Sequence, residues 1–264
     1  MATVTASTRE WLGRGVVAAA AGVLVGVLFV SSRSPEVVDP GLVHAAGATP
    51  AVVEGDWSRP TEPSTPTSWP VADAVGASIR LYDAPGVPSD TTLDNPTWEG
   101  LAVVFAVLGQ RDGWLHVRVS ARPNGRESWV RRQDVTLRTV PNWVRVELGA
   151  RRLTVMHGDT ALMSTTVAIG RSTAPTPIGT FFVDGIVPLD PPHRAYGAGQ
   201  VSVSGFSEVH HSFGGGNGQI ALHGTQAVAL LGQETSNGCV RLDNDSIRMV
   251  MEMAPTGTPV EILP

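Results

Sequence analysis

Short stretches of alternating polar and apolar residues, separated by turn-forming residues, run through much of this chain. Between Trp114 and Val119, Leu115, Val117 and Val119 alternate with other side chains, a pattern typical of a strand with one buried face. Turn signals such as Asp112-Gly113 precede such stretches. Comparable runs lie at 78–82, 100–108, 128–131, 143–148, 152–156, 161–169, 181–183, 219–223 and 260–263. The chain is therefore predicted to be mainly β.

One stretch near the C-terminus has a helical pattern instead. Three consecutive polar residues, 243–245, are good N-cap candidates, and Ile247, Val250 and Met251 then recur at helical spacing. The pattern predicts a short helix that ends at about Met253.

Two connections stand out between the predicted strands. Prolines at 188, 191 and 192 follow the run at 181–183 and predict a long irregular loop, a type of segment that often covers substrate clefts. The glycine-rich residues 214–218 lack the strand-to-helix context of a phosphate-binding loop, so they predict a flexible loop before the strand at 219–223.

The N-terminal end carries an export signal. Arg9 and Arg14 precede an uninterrupted apolar run at 15–30, which lies close to the length of about 20 residues that a spanning helix needs. The arginines before the run place the rest of the chain outside the membrane. Residues 1–30 are predicted to be an uncleaved anchor, and a cleaved signal with a secreted product is the alternative.

A proline-rich stretch follows at 31–75 and shows neither helical nor strand periodicity. Such a composition is typical of an extended linker. Trp57 and Trp69 do not fit a purely solvated tether, and they either pack against a neighbouring domain or stand isolated. Removing residues 1–75 is nevertheless expected to leave folding and chemistry intact.

Chain length, net charge and cysteine content limit the architectures and functions expected for this chain. With 264 residues, 29 glycines and 20 prolines, the chain is expected to form two small β-rich modules, at 76–138 and 142–264, and to be monomeric. The net charge of −5 gives no basic surface for nucleic acid. A single cysteine cannot form an internal disulfide, so the thiol stays free for chemistry.

That cysteine, Cys239, is the leading candidate for chemistry. His223 lies beside a glycine upstream of it and is a candidate base, since a thiol of ordinary pKa needs a neighbouring imidazole or dipole to ionise near neutral pH. The turn-prone residues 236–238 put backbone N–H groups where an oxyanion would form. The alternative is a buried structural cysteine, because free cysteines are often core residues.

Three segments around this pair resemble the signature of the L,D-transpeptidase (YkuD-type) catalytic domain: His223-Gly-Thr225, Ser236-Asn-Gly-Cys-Val-Arg-Leu242 and Asn244-Asp245. Thr176-Pro-Ile-Gly-Thr-Phe181 resembles a further element of that family. The resemblance covers about 142–264 and implies a β-sandwich-like domain with a short helix after the nucleophile.

The resemblance also implies roles for individual residues. Cys239 would be the nucleophile and His223 the general base and then acid, with the Gly224 carbonyl orienting the imidazole. The backbone N–H groups of Gly238 and Cys239 would stabilise the oxyanion. No cofactor or metal is implied, and a metal site built from His210, His211, His223 and Cys239 lacks the usual ligand spacings.

Three further residues of the signature have alternative roles. Arg241 either recognises a substrate carboxylate or forms a buried pair with Asp243 or Asp245. Ser236 bonds to the histidine or to substrate, or else only holds the turn. Asn237 stands where many family members have histidine, so one imidazole is expected at the thiol, and Asn237 is a candidate hydrogen-bond donor to the oxyanion.

The implied function is acyl transfer on peptidoglycan stem peptides through a thioester, giving 3-3 cross-links at the cell envelope. Water as acceptor would make the protein an L,D-carboxypeptidase, and a protein lysine would make it an anchoring enzyme. A wall-binding protein with a degenerate catalytic domain is the alternative from another class. Residues 76–138 resemble bacterial SH3-like domains, which implies a small β-barrel that either binds the wall or serves as a spacer.

Overall fold

The computed structural model describes residues 64–212 and 216–264. The predicted anchor at 1–30 and most of the predicted linker lie outside these residues. Within the described ranges, no helix has both the length and the apolar character that a membrane crossing requires.

The N-terminal part forms a seven-stranded sheet around its own apolar cluster, in which Leu81, Phe105 and Leu115 are almost completely buried. Its strands are β1 (Trp69–Ala74), β2 (Ser78–Ala84), β3 (Val87–Asp94), β4 (Val104–Arg111), β5 (Trp114–Arg118), β6 (Glu127–Arg131) and β7 (Val135–Val140). They lie in the order β3-β2-β6-β5-β4-β1-β7. The predicted strands at 78–82, 114–119 and 128–131 are confirmed, and the SH3-like assignment stays a prediction.

The predicted end of the linker at residue 75 was wrong. Residues 69–74 form β1, which pairs antiparallel with both β4 and β7. Val71 and Ala72 are fully buried, and Val71 lies so close to Gly257 that a Cβ at that glycine would overlap it. The strand was not predicted because the stretch is rich in proline. Pro70 is nevertheless tolerated there, since it lies next to the first residue of the strand.

The C-terminal part forms an eight-stranded sheet in the order β10-β9-β8-β17-β12-β13-β14-β16, and a short parallel pair, β11 and β15, lies beside it. The helix α1 (Asn244–Met253) contacts β13 and β14. The strands are β8 (Trp143–Glu147), β9 (Arg152–His157), β10 (Thr160–Thr166), β11 (Ile169–Gly170), β12 (Gly179–His193), β13 (Gly197–Phe206), β14 (Gln219–Gly224), β15 (Glu234–Ser236), β16 (Val240–Leu242) and β17 (Pro259–Leu263). The mainly β fold class with a short helix is confirmed.

The irregular loop predicted from the prolines at 188–192 was wrong. β12 extends from Gly179 to His193 and forms a long hairpin with β13, in which Pro188 pairs with Gly199 and His193 with Gly197. The register shifts between Pro188 and His193. Since a proline cannot donate to a ladder, such irregular pairing near the end of a hairpin accommodates it.

The helix begins where the sequence indicates. Asp243 is the N-cap residue, and its carboxylate accepts hydrogen bonds from the backbone N–H groups of Asp245 and Ser246 at 3.0 and 2.8 Å. Ile247 and Val250 are fully buried and join the core cluster of the eight-stranded sheet. The helix thus packs against the core side of the strands β13 and β14.

We expect a chain beginning at Ser64 to keep the thermal stability of the full protein, whereas one beginning at Gly76 loses it. The shorter chain lacks β1 and with it the burial of Val71, worth about 1.5–3 kcal/mol, as well as two strand pairings. Calorimetry of both truncated proteins beside the full chain measures the difference. Equal unfolding temperatures for the two truncations would contradict the placement of β1 in the core.

Candidate active site

Parallel pairing of β14 with β16 brings the cysteine and the histidine together. Leu222 pairs with Val240 and His223 with Arg241, so Cys239, immediately before β16, lies beside Ala221. Successive side chains on a strand point to opposite faces. His223, Cys239 and Arg241 therefore share one face, and all three line the same cavity.

The opposite face of the same two strands belongs to the core. Leu222, Val240 and Leu242 have no exposed surface and lie in the apolar cluster beneath the sheet. A shift of either strand by one residue would bury the reactive side chains and expose these apolar ones. Core packing thus fixes the register that assembles the site.

His223 is held in one tautomer. Its Nδ1 lies 2.8 Å from the carbonyl oxygen of Gly224, and a carbonyl can only accept, so Nδ1 donates and Nε2 keeps its lone pair. The ring also makes an edge contact with Tyr196, at 5.1 Å between centroids. Burial, and secondarily the charge of Arg241, lower the pKa of His223 to about 4 against the favourable bond to Gly224. The imidazole is therefore neutral at neutral pH and able to accept a proton.

Burial dominates the thiol as well. It raises the pKa of Cys239 above its ordinary value, although a hydrogen bond from the backbone of Ala221 and the charge of Arg241 act in the opposite direction. At rest the pair is a neutral thiol beside a neutral imidazole. A neutral imidazole on the same face of the strands is a candidate acceptor for the thiol proton.

The turn before the cysteine is held by Ser236, which is fully buried. Its hydroxyl donates to the carbonyl oxygen of Cys239 and accepts from the N–H of Gly238 at 3.1 Å. Gly238 has a φ of 119°, a conformation that disfavours other residues. The N–H of Gly238 thus bonds Ser236 in this structure, and Ser236 does not line the cavity. The oxyanion role of Gly238 and the substrate contact of Ser236 stay predictions.

The T-P-x-G element packs beneath this turn. Thr176 is buried and its hydroxyl accepts a hydrogen bond from the N–H of Gly170 at 2.9 Å. Gly170 lies so close to the backbone of residues 174–176 that a Cβ there would overlap it. The Pro175 carbonyl lies 3.6 Å from the position of a Cβ at Gly238. The segment thus supports the cysteine turn from the side away from the cavity opening.

Arg241 faces the cavity. Neither Asp243 nor Asp245 pairs with it, because the first carboxylate caps α1 and the second bonds Arg248 at 2.9 Å. In residues 64–212 and 216–264, no ion pair to Arg241 lies within 4.0 Å. The buried-pair alternative for Arg241 is therefore corrected, since both candidate partners are engaged elsewhere.

Asn237 also lines the cavity, and its Oδ1 is buried with no hydrogen-bond partner among the described residues. Burying an amide oxygen without a partner is costly. A donor from a bound molecule would satisfy it, which marks Asn237 as a candidate contact for substrate.

Asn244 ties the histidine strand to the hairpin. Its side-chain oxygen accepts a hydrogen bond from the N–H of Ala198 at 2.8 Å. The same oxygen would overlap a Cβ at Gly224 or Gly197. Glycine at both positions therefore permits the close approach that holds the carbonyl of Gly224 in place for His223.

The cavity has a volume of about 500 Å³, and several of its lining residues were not identified from the sequence. They come from distant parts of the chain, two of them from the N-terminal sheet: Trp98, Glu99, Tyr196 and Gln200. A second cavity of about 300 Å³ shares Trp98 and Glu99 with it. No periodicity or motif marks these residues, because only the tertiary fold brings them to the cysteine.

The three histidines considered as metal ligands differ in their position relative to the cavity. His210 and His223 line the cavity, whereas His211 does not. In the part of the chain that the structure describes, no three His, Cys, Asp or Glu side chains lie close enough to hold a metal ion.

Comparison with known proteins matches residues 141–262 to the L,D-transpeptidase catalytic domain. A Bacillus subtilis protein named as an L,D-transpeptidase, YkuD, is 28% identical over 124 residues, which are 47% of this chain and 67% of that protein. An L,D-transpeptidase structure from Mycobacterium smegmatis matches at 16% identity and a TM-score of 0.38, over 61% of this chain and 82% of that one.

A Bdellovibrio bacteriovorus structure matches at 23% identity and a TM-score of 0.37, over 47% of this chain. The present chain spans only 48% of that structure's length.

We expect the alkylation of Cys239 by iodoacetamide to keep rising with pH above about 8, because the raised thiol pKa leaves little thiolate at neutral pH. A stable thiolate–imidazolium pair would instead give a plateau from about pH 5 upward, and such a plateau would contradict the neutral pair. Mass spectrometry of the labelled protein measures the rate. Cys239→Ala is the control, since the chain has no other cysteine.

Proposed function

Because residues 141–262 belong to the L,D-transpeptidase catalytic domain family, we propose that this protein transfers acyl groups between peptidoglycan stem peptides through Cys239. One observation carries the proposal: the thiol, a neutral imidazole oriented by Gly224 and an unpaired guanidinium line one cavity. Nucleophile, base and orienting group are the parts that acyl transfer needs.

In the first half-reaction the sulfur of Cys239 attacks the carbonyl carbon of a stem-peptide bond while Nε2 of His223 takes the thiol proton. The carbonyl oxygen becomes an oxyanion, which backbone N–H groups of the turn at Asn237 and Cys239 would stabilise. The C–N bond then breaks, and the imidazolium returns its proton to the leaving amine. A thioester remains on Cys239.

In the second half-reaction an acceptor amine attacks the thioester carbon. Its proton passes to His223 and from there to the departing thiolate, so the enzyme returns to its neutral starting state. With the side-chain amine of another stem as acceptor, the product is a 3-3 cross-link. The low pKa of His223 suits both steps, because a neutral imidazole is present at the start of each.

Two polar side chains that line the cavity, Arg241 and Asn237, are the proposed substrate contacts. Arg241 supplies a cation for a carboxylate of the donor peptide, and the Oδ1 of Asn237 accepts one of its N–H groups. Both lie beside Cys239, so these contacts would place the scissile carbonyl over the sulfur. Ser236 contributes by holding the turn.

The proposed substrates place the protein at the cell envelope, where the predicted anchor and linker would carry it outward as a monomer. Hydrolysis of the thioester would make it an L,D-carboxypeptidase, and a protein lysine as acceptor would make it an anchoring enzyme. A wall-binding protein with a degenerate site is disfavoured by the complete set of Cys239, His223 and Arg241.

We expect Cys239→Ala to keep the fold and to lose both acyl transfer and covalent labelling by a carbapenem. Purified tetrapeptide muropeptides analysed by mass spectrometry distinguish the acceptors: wild type gives cross-linked dimers, whereas a carboxypeptidase gives shortened stems only. Calorimetry separates a lost nucleophile from a lost core residue. Retained labelling in the variant would overturn the assignment of Cys239.

We expect His223→Gln to slow acylation by about 10² to 10⁴, the usual effect of removing a general base. Gln keeps a polar side chain but cannot take a proton near neutral pH. The matched control is His211→Gln, which changes an exposed histidine outside the cavity. Stopped acylation assays across about pH 6 to 9 measure both. Wild-type rates in the His223 variant would place the base elsewhere, with His210 the next candidate.

A further inference from the structure

One wall of the catalytic cavity is held both by hydrogen bonds within its own segment and by side chains of the N-terminal sheet. We define the wall segment as residues 206–212 and 216–218, which connect β13 to β14. Ser207, His210, Asn217 and Gly218 line the cavity that contains Cys239. The segment is irregular beyond Phe206, and the side chain of Val209 is half exposed. Its conformation must therefore come from polar contacts.

Many of those contacts come from the N-terminal sheet, through the connection 119–126 between β5 and β6. Arg122 donates to three backbone carbonyls of the wall segment: Nη1 to Ser207 at 2.9 Å, and Nη2 to His210 at 3.0 Å and Asn217 at 3.3 Å. Its guanidinium also lies 5.0 Å from the centre of the Phe206 ring. One side chain thus joins the two ends of the segment.

Asn124 holds the base of the segment. Its amide nitrogen donates to the Phe206 carbonyl and to Glu208 Oε1, and its amide oxygen accepts from the Phe206 N–H, each at 2.8 Å. Asn124 thus bonds both the N–H and the carbonyl of Phe206, as the backbone of a paired antiparallel strand would do. It fixes where the chain leaves β13.

The segment itself requires this arrangement. Ser207 donates its N–H to the Gly218 carbonyl at 2.9 Å, which closes the segment at its neck. Gly218 has a φ of 79°, and a Cβ there would overlap the His210 carbonyl and approach Arg122. The carbonyls of Ser207, His210 and Asn217 converge on Arg122, whose charged guanidinium forms stronger hydrogen bonds than a neutral donor would.

We propose that Arg122 and Asn124 are positioning residues for the active site, and that the N-terminal sheet completes the substrate cleft by fixing the wall segment. The sheet is then neither a spacer nor only a separate wall-binding module. Neither residue touches Cys239 or His223, so both act on peptide binding rather than on the chemistry of the thiol. The expected effect on KM rests on the function proposed above, whereas the effect on the conformation of the wall segment does not.

The test compares full-length wild type with Arg122→Ala, Arg122→Lys and Asn124→Ala. We expect the KM for a tetrapeptide stem to rise about tenfold in Arg122→Ala, as for the loss of a charged hydrogen-bond donor, with kcat within about threefold. Arg122→Lys keeps the positive charge but loses the planar guanidinium with its several donors. Its KM should therefore lie between those of wild type and Arg122→Ala. Alkylation of Cys239 by iodoacetamide should stay at the wild-type rate in all three.

Arg126→Ala is the matched control, because Arg126 lies in the same connection but bonds Thr91 within the N-terminal sheet. It should leave KM unchanged. An unchanged KM in Arg122→Ala, or an equal rise in Arg126→Ala, would overturn the positioning role.

Hydrogen exchange without substrate provides the second measurement. Backbone amides of the wall segment should exchange faster in Arg122→Ala and Asn124→Ala, while those of β14 stay protected. Unchanged exchange in the segment would overturn the proposal. If wild type fails to turn over the tetrapeptide, the proposed function falls, and the exchange data still decide whether the N-terminal sheet holds the wall.

Discussion

The parallel pairing of β14 with β16 is the constraint on which the site depends. It places His223 beside Arg241 and brings Cys239 next to Ala221, with Leu222 and Val240 locked in the core below. Each of these strands has one apolar, buried face and one face that lines the cavity. A shift of one residue in their register would therefore expose the apolar side chains. The reactive geometry is therefore stabilised by burial that takes no part in the chemistry.

Burial shifts the pKa values of Cys239 and His223, an effect that could not be predicted from the sequence motif. Desolvation moves the two pKa values apart, upward for Cys239 and downward to about 4 for His223. Arg241 adds a positive charge that disfavours imidazolium and favours thiolate, yet desolvation outweighs it at the sulfur. A neutral pair leaves little thiolate to react with stray electrophiles, and in the proposed reaction it makes proton transfer part of the attack on the carbonyl.

Helix caps, hairpins and alternating strands were predictable from the sequence, because they depend on residues that are close together in the chain. The Asp243 cap, the hairpin of β8 with β9 and the alternating strand β5 each follow from neighbours in sequence. β1 and the proline-containing end of β12 were missed, because partners distant in sequence stabilise them against their own composition. The motif pointed to Cys239, His223 and Arg241, which line one cavity, whereas only the tertiary fold brings Trp98 and Tyr196 to that cavity and Arg122 to the segment beside it.

Among the contacts that join the two sheets, those at two places bear on how the cleft is built. At one, Arg138 bonds Asp73 and Thr256 at 2.6 and 2.9 Å, close to the chain connection between β7 and β8. At the other, Arg118 and Arg122 bond backbone carbonyls of the catalytic part. A single attachment would let the N-terminal sheet swing about the connection, whereas two restrict that rotation. Trp98 and Glu99 line the cavity that contains Cys239 and belong to the N-terminal part held in this way, so the cavity includes side chains outside residues 141–262.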